Sequence, residues 1–343
     1  MKAERPDSNQ GCVIFFIGFA CSMLLQVILT FTPLEGDPFL WVYAFVAQAL
    51  FCGATLLGFS FYRISPVKTL GLRRGISVGQ CLLVFAIVLV SLLAFGPLAT
   101  LFSELLSLMG YNYTPAYADF TSSGGAFALG IFGLCIMPAF GEELLIRGAL
   151  VNGLKGRGYG PAILLSAFLF ALMHSNAVQL VHQFAIGVVM AYLVILTGSI
   201  YPSVIFHFLN NFVAVSVDFA LARSAVIKGL SDAFFALPKI GTVFIYLAMA
   251  LVGLVGLFFL VYLYVKVSVK RFVKGGGVYV PPEEKGIKGM IVTFSHALKV
   301  LDESRVEALA VGDEKGIKSP GVYISLIFML FVWLLNVVLV WVS

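Results

Sequence analysis

The first residues in this chain whose types suggest chemistry lie in an otherwise apolar run, Gly141-Glu142-Glu143-Leu144-Leu145-Ile146-Arg147. Glu143 and Arg147 stand at i and i+4, the order that favours a helical ion pair and offsets much of their burial cost. Glu142 lies about 100° further round a helix and needs a polar partner or a solvated cavity of its own. The blander alternative is that both glutamates only neutralise Arg147. Downstream, His207 and Asn211 are again at i and i+4, so their polar ends leave one helix face together and could hold one ligand oxygen between two donors. An interhelical hydrogen-bond clamp is the alternative there. His174 closes Phe170-Ala171-Leu172-Met173-His174 and shares a face with Phe170; alone, such a histidine is commonly a packed core residue.

These residues must be positioned by elements that do not face water. Of the 343 residues, 60% are hydrophobic and 11% charged, against roughly 25% charged in a soluble domain. Apolar runs near 12–32, 39–62, 77–101, 126–151, 161–175, 178–197, 199–221, 240–266 and 321–342 are mostly of membrane-spanning length, about 20 residues. The fold class expected is all-α: a polytopic integral membrane helical bundle of about 8–9 transmembrane helices with a polar cytoplasmic insertion. The expected division is 1–124 for the first three spans, 125–222 for a catalytic core, 223–274 for a further membrane helix, 275–319 for the insertion and 320–343 for a last span. The run after Lys2 and Arg5 is too long for a cleaved signal and reads as a retained span.

Basic residues at Lys2 and Arg5, Arg63 to Arg74, Lys155 and Arg157, and Lys266 to Lys274 fall in alternate loops, which places those loops and the N-terminus in the cytoplasm. The net charge of +5 is thus a topology signal, and nothing in its pattern suggests nucleic acid as a partner. Cys12, Cys21, Cys52, Cys81 and Cys135 sit in apolar runs without C-x-x-C spacing and read as small buried hydrophobes. In the insertion, Met290 to Ala310 could form an amphipathic helix resting on lipid headgroups, and Glu-Lys-Gly-Ile-Lys occurs at 284–288 and 314–318.

Ionisable residues at membrane depth are costly and usually mark function. Here they cluster between 140 and 211, while the first three spans carry almost none. Counted from the expected cytoplasmic ends, Glu142 lies roughly 14 Å deep, His174 roughly 20 Å and His207 roughly 12 Å, so a shared site in the cytoplasmic half is feasible. His182, with Asn176 and Gln179, reads as a polar helix end, and His296 falls outside the cluster.

The order Glu142-Glu143-x-x-x-Arg147, Phe170-x-x-x-His174 and His207-x-x-x-Asn211, each in its own apolar helix, resembles the CAAX protease and bacteriocin-processing family of Rce1-like or Abi intramembrane peptidases. Phe184 to Gly187 and Thr197 to Pro202 extend the resemblance, which covers about residues 125 to 215. It implies a hydrolase of the cell membrane that cleaves a membrane-tethered peptide or protein. Glu142 would be the general base, helped by His174; His207 and Asn211 would form an oxyanion hole, with Glu143, Arg147 and Phe170 in support. A zinc site is the alternative device, since Glu142, His174 and His207 could supply two histidines and a carboxylate; otherwise no cofactor is expected. Rival functions are a non-proteolytic immunity or binding protein, or a transporter with a buried Glu, Arg and His relay.

Overall fold

The computed structural model describes residues 5–113, 116–303 and 319–342. Lys2, the expected helical residues 304–310 and the second Glu-Lys-Gly-Ile-Lys copy at 314–318 lie outside the described residues. All regular structure described is helical: α1 Ser8–Leu29, α2 Gly36–Phe61, α3 Val78–Leu108, α4 Gly124–Arg157, α5 Tyr159–Met173 and α6 Leu180–Thr197. Then follow α7 Tyr201–Arg223, α8 Ala225–Phe235, α9 Lys239–Lys274, α10 Gly286–Glu303 and α11 Pro320–Val342. Eight of these are long and apolar enough to cross a membrane, with α5 a shorter apolar helix beside them. In such a solvent every backbone polar group must be satisfied inside its own segment, which is why apolar runs of this length become helices.

Helix starts are written in the local sequence. Asp7 with Gln10 closes a capping box on α1, and Ser77 with Gln80 does the same on α3, satisfying first-turn amides that a helix cannot. α9 runs to Lys274, beyond the apolar run that announces it, and α8 is a short amphipathic helix that the apolar-run pattern does not register.

The chain sorts its loops onto two faces, and contacts between loops fix that sorting. On the first face Ser8 meets Ser319 at 2.7 Å, Gly321 N donates to Asn9 at 2.9 Å, and Ile200 N donates to Leu70 O at 3.0 Å. On the opposite face Asp119 N donates to Asp37 at 3.1 Å, Gln179 to Tyr117 at 3.1 Å and Trp341 to Met109 O at 3.1 Å. Asp119 also caps the turn at Thr121 and Ser122. Hydrogen bonds from the Ser122 side chain and the Thr121 backbone hold its carboxyl down to about 2. Its folded value is depressed, so its contribution to the loop is complete above the ordinary carboxylate range, about 4, and fades only as pH falls through the folded value.

α4 is the central helix of the bundle, and α1, α2, α5 and α7 pack against parts of it. Near the first face α1 and α4 touch backbone to backbone: a Cβ on Gly11 would lie 2.7 Å from Ala149 O, and one on Gly153 2.8 Å from Asp7 O. Only glycine permits this approach, the small-residue contact by which membrane helices gain packing energy without a hydrophobic drive. Leu145, Ile146, Ala149, Leu150 and Leu154 are fully buried around it.

The insertion is tied to the bundle by one edge of its amphipathic helix. α10 packs on α6 and α9 through Ala297, Leu298 and Leu301, Tyr192 donates to Phe294 O at 3.1 Å, and buried Asp302 pairs with Lys155 at 3.0 Å. Asp302→Ala leaves the Lys155 ammonium buried without that carboxylate and is expected to cost about 3 kcal/mol, read as a lower midpoint in a detergent-based unfolding titration.

Candidate active site

The site begins with departures from regular helix in α4. Ile131–Ile136 and Leu144–Val151 are π-helical and bracket the α-helical Met137–Glu143. A π turn adds a residue and loosens the carbonyl ladder, so carbonyls become available to other donors, a pattern common at functional sites. Asn211 Nδ2 takes one of them, Leu134 O at 2.9 Å. Asn152 Nδ2 takes two in the second segment, Arg147 O at 2.9 Å and Gly148 O at 3.1 Å, and adds Thr69 O at 3.1 Å.

Glu143 and Arg147 form the expected ion pair at 2.8 Å, both fully buried. The same oxygen, Oε1, also meets His207 Nδ1 at 2.8 Å. A carboxylate engaged by a guanidinium can only accept, so Nδ1 carries a proton and donates. Arg147 is further held with its guanidinium 4.6 Å above the Phe170 ring, a cation–π contact. Phe170 touches both His174 and His207 edge-on, at 5.1 and 6.0 Å between centroids. The pair therefore sets the position of a histidine on another helix.

Glu142 takes its hydrogen bond from outside that cluster. Its Oε1 accepts from Gln48 Nε2 on α2 at 2.9 Å, while Oε2 is buried without a hydrogen-bond partner and lies 3.9 Å from His207 Nε2, beyond hydrogen-bonding reach. α2 comes this close because position 141 is glycine: a Cβ there would sit 2.4 Å from Gln48 Oε1 and 2.9 Å from its backbone oxygen.

His174 ends α5. Its Nδ1 lies 2.9 Å from Phe170 O; since a carbonyl only accepts, Nδ1 is protonated and Nε2 keeps a lone pair when the ring is neutral. The chain then turns sharply, with Ser175 at φ 54 and Asn176 donating to His174 O at 2.8 Å. A non-glycine residue in the left-handed region costs energy and persists only where its surroundings enforce it; here it fixes the imidazole at the end of its helix.

Glu142, His174, His207 and Asn211 all line one cavity of about 720 Å³. His182 and Asn210 line it too, and Asn210 Oδ1 is buried without a partner. The sequence pattern sets His182 aside as a helix-end residue and gives no hint of Gln48. The only available signal for Gln48 was an uncharged amide inside an apolar span, where polar side chains seek partners on other helices. Among the described residues no group of three or more His, Cys, Asp or Glu converges as a metal-ligand set. Glu142, His174 and His207 nevertheless line the cavity together, with His207 Nδ1 engaged by Glu143 and its Nε2 3.9 Å from Glu142.

One cavity of the bundle thus brings together the carboxylate of Glu142, three histidines and the amides of Asn210 and Asn211. Residues 124–213 match the family of Rce1-like type II CAAX prenyl endopeptidases. That segment, about a quarter of the chain, is similar to a domain of the CAAX protease family. No curated protein and no solved structure matches the chain. The matched segment holds every cavity residue named above except Gln48, which lies outside it.

Gly141→Ala is expected to push α2 off α4 and uncouple Gln48 from Glu142 without altering any polar side chain. Because misplacement by about 1 Å can cost roughly a hundredfold, turnover of a cleavable membrane peptide should fall at least tenfold while the helical circular-dichroism signal persists.

Proposed function

We propose that the protein is an intramembrane endopeptidase that hydrolyses a peptide bond of a membrane-associated peptide or protein, with Glu142 as the general base. The observation that carries this reading is that one oxygen of Glu142 is occupied by Gln48 while the other is buried, unpartnered and in the cavity that also receives His174, His207 and Asn211. Charge left available in a water-poor place is costly unless it has work to do.

In this reaction Oε2 of Glu142 takes a proton from a water molecule as the water oxygen bonds to the scissile carbonyl carbon and the carbonyl electrons move onto oxygen. His174 Nε2, with its lone pair, accepts the water's other hydrogen in a hydrogen bond and orients it. The tetrahedral oxyanion is held by the second N–H of Asn211, the first being engaged by Leu134, and by His207. With Nδ1–H committed to Glu143, His207 donates from Nε2 only as the doubly protonated imidazolium, and Arg147 fixes Glu143 for that duty. Collapse restores the carbonyl, breaks the C–N bond and moves the proton from Glu142 to the departing nitrogen, giving an acid and an amine. No step passes through a metal.

Glu142→Gln and His174→Ala are each expected to abolish cleavage of a membrane-tethered peptide by protein purified in detergent or nanodiscs, with the unfolding midpoint retained. Asn211→Ala, which removes one oxyanion donor, is expected to lower kcat by roughly a hundredfold. Full activity in either of the first two variants would reject the mechanism. Tight peptide binding without cutting by the wild-type protein would favour a sequestering role, and proton-coupled flux in liposomes without proteolysis would favour a transporter.

A further inference from the structure

The cavity has a closed end and an open end, and the chain's direction tells them apart. Its floor is Glu142, only 9% exposed, and the 3% exposed His207. Beyond that floor, toward the first face, lie the fully buried Leu145 to Leu154 and the backbone contact of Gly11 with Gly153. In the other direction its lining includes Ser103 near the end of α3, Tyr117 in the loop after it and Asp218 near the end of α7, and Tyr117 is 54% exposed. Every one of these rim positions lies toward the opposite face, the side of the Asp37–Asp119 and Tyr117–Gln179 contacts.

The two faces differ in the residues that determine membrane orientation. The first carries Arg63, Lys68, Arg73, Arg74, Lys155 and Arg157, whereas the opposite-face stretches 30–35, 109–123 and 174–179 contain no lysine or arginine and the fourth, 218–239, holds Arg223, Lys228 and Lys239 beside Asp218 and Asp232. Short loops rich in these two residues stay in the cytoplasm. We infer that the catalytic cavity opens away from the cytoplasm and receives its substrate from the extracytoplasmic side of the membrane.

A floor in the cytoplasmic half, as depth counting gives, is compatible with this entrance, because depth and access are separate properties of a blind cavity. The substrate part of the inference rests on the peptidase reading. It names the class as a peptide or protein segment that is translocated or membrane-tethered on the outer side. A lipidated C-terminal motif displayed in the cytoplasm would meet the closed end.

The test places single cysteines in the full chain, with the five native cysteines replaced, as Tyr117→Cys at the rim, Ser103→Cys in the cavity wall and Arg74→Cys on the first face. Intact cells are treated with a membrane-impermeant maleimide before and after permeabilisation. Labelling of Tyr117→Cys and Ser103→Cys in intact cells, with Arg74→Cys reactive only after permeabilisation, is the expected result. The reverse pattern overturns the inference, as does a Ser103→Cys variant that reacts only after permeabilisation. In sealed right-side-out vesicles, an externally added tethered peptide should be cut by the wild type and not by Glu142→Gln, and inside-out vesicles should lose that cleavage. Cleavage by inside-out vesicles alone overturns the inference. Absence of cleavage on either side, with the expected labelling, defeats the peptidase reading and leaves the entrance standing.

Discussion

A single carboxylate oxygen, Oε1 of Glu143, accepts from both Arg147 and His207 at 2.8 Å, and much of the site's geometry follows from it. Inside a bilayer an ion without a counter-ion is severely disfavoured, whereas a paired and hydrogen-bonded one is tolerated. That requirement holds Arg147 against Phe170, holds Phe170 against His174 and His207, and fixes the protonated nitrogen of His207. Three helices, α4, α5 and α7, are therefore registered to one another by a charge that none of them could keep alone. The neighbouring Glu142 is left with a different environment: one oxygen on an amide, the other toward the cavity. Adjacent identical side chains thus meet opposite environments, one fixed in a buried ion pair and one turned toward the cavity.

The departures from regular helix serve the same arrangement. π-Helical turns on either side of Met137–Glu143 free backbone carbonyls in the bundle interior, and each interruption is met by an asparagine, Asn211 for the first and Asn152 for the second. The irregular backbone is tolerated because it is covered by protein and its polar groups are paired. Ser175 plays a similar part at the end of α5, where its left-handed conformation lets the chain leave the helix directly after His174. The site is thus built at places where the helices stop being ideal.

Elements outside the matched segment complete it. α2 supplies Gln48, α1 closes the floor by way of Gly11, and α10 braces the end of α4 through Asp302 and Lys155. The matched segment and its surroundings are one packed body, with the insertion helix attached at the face opposite the cavity mouth.

Sequence alone was sufficient for the long apolar helices, though not for α8, and for Glu142, His174, His207 and Asn211 as polar residues that could share one place. Their apolar runs are long, and spacings such as Glu143 to Arg147 or His207 to Asn211 act within one helix, where 3.6 residues per turn translates position into direction. The loop charges likewise sort the ends without coordinates. Gln48 opposite Glu142, His182 on the cavity wall, His207 turned onto Glu143, and α10 docked through Asp302 were decided only by the tertiary structure. Each depends on a contact between segments far apart in the chain, and helical periodicity says which way a side chain leaves its own axis but not what another helix brings to meet it.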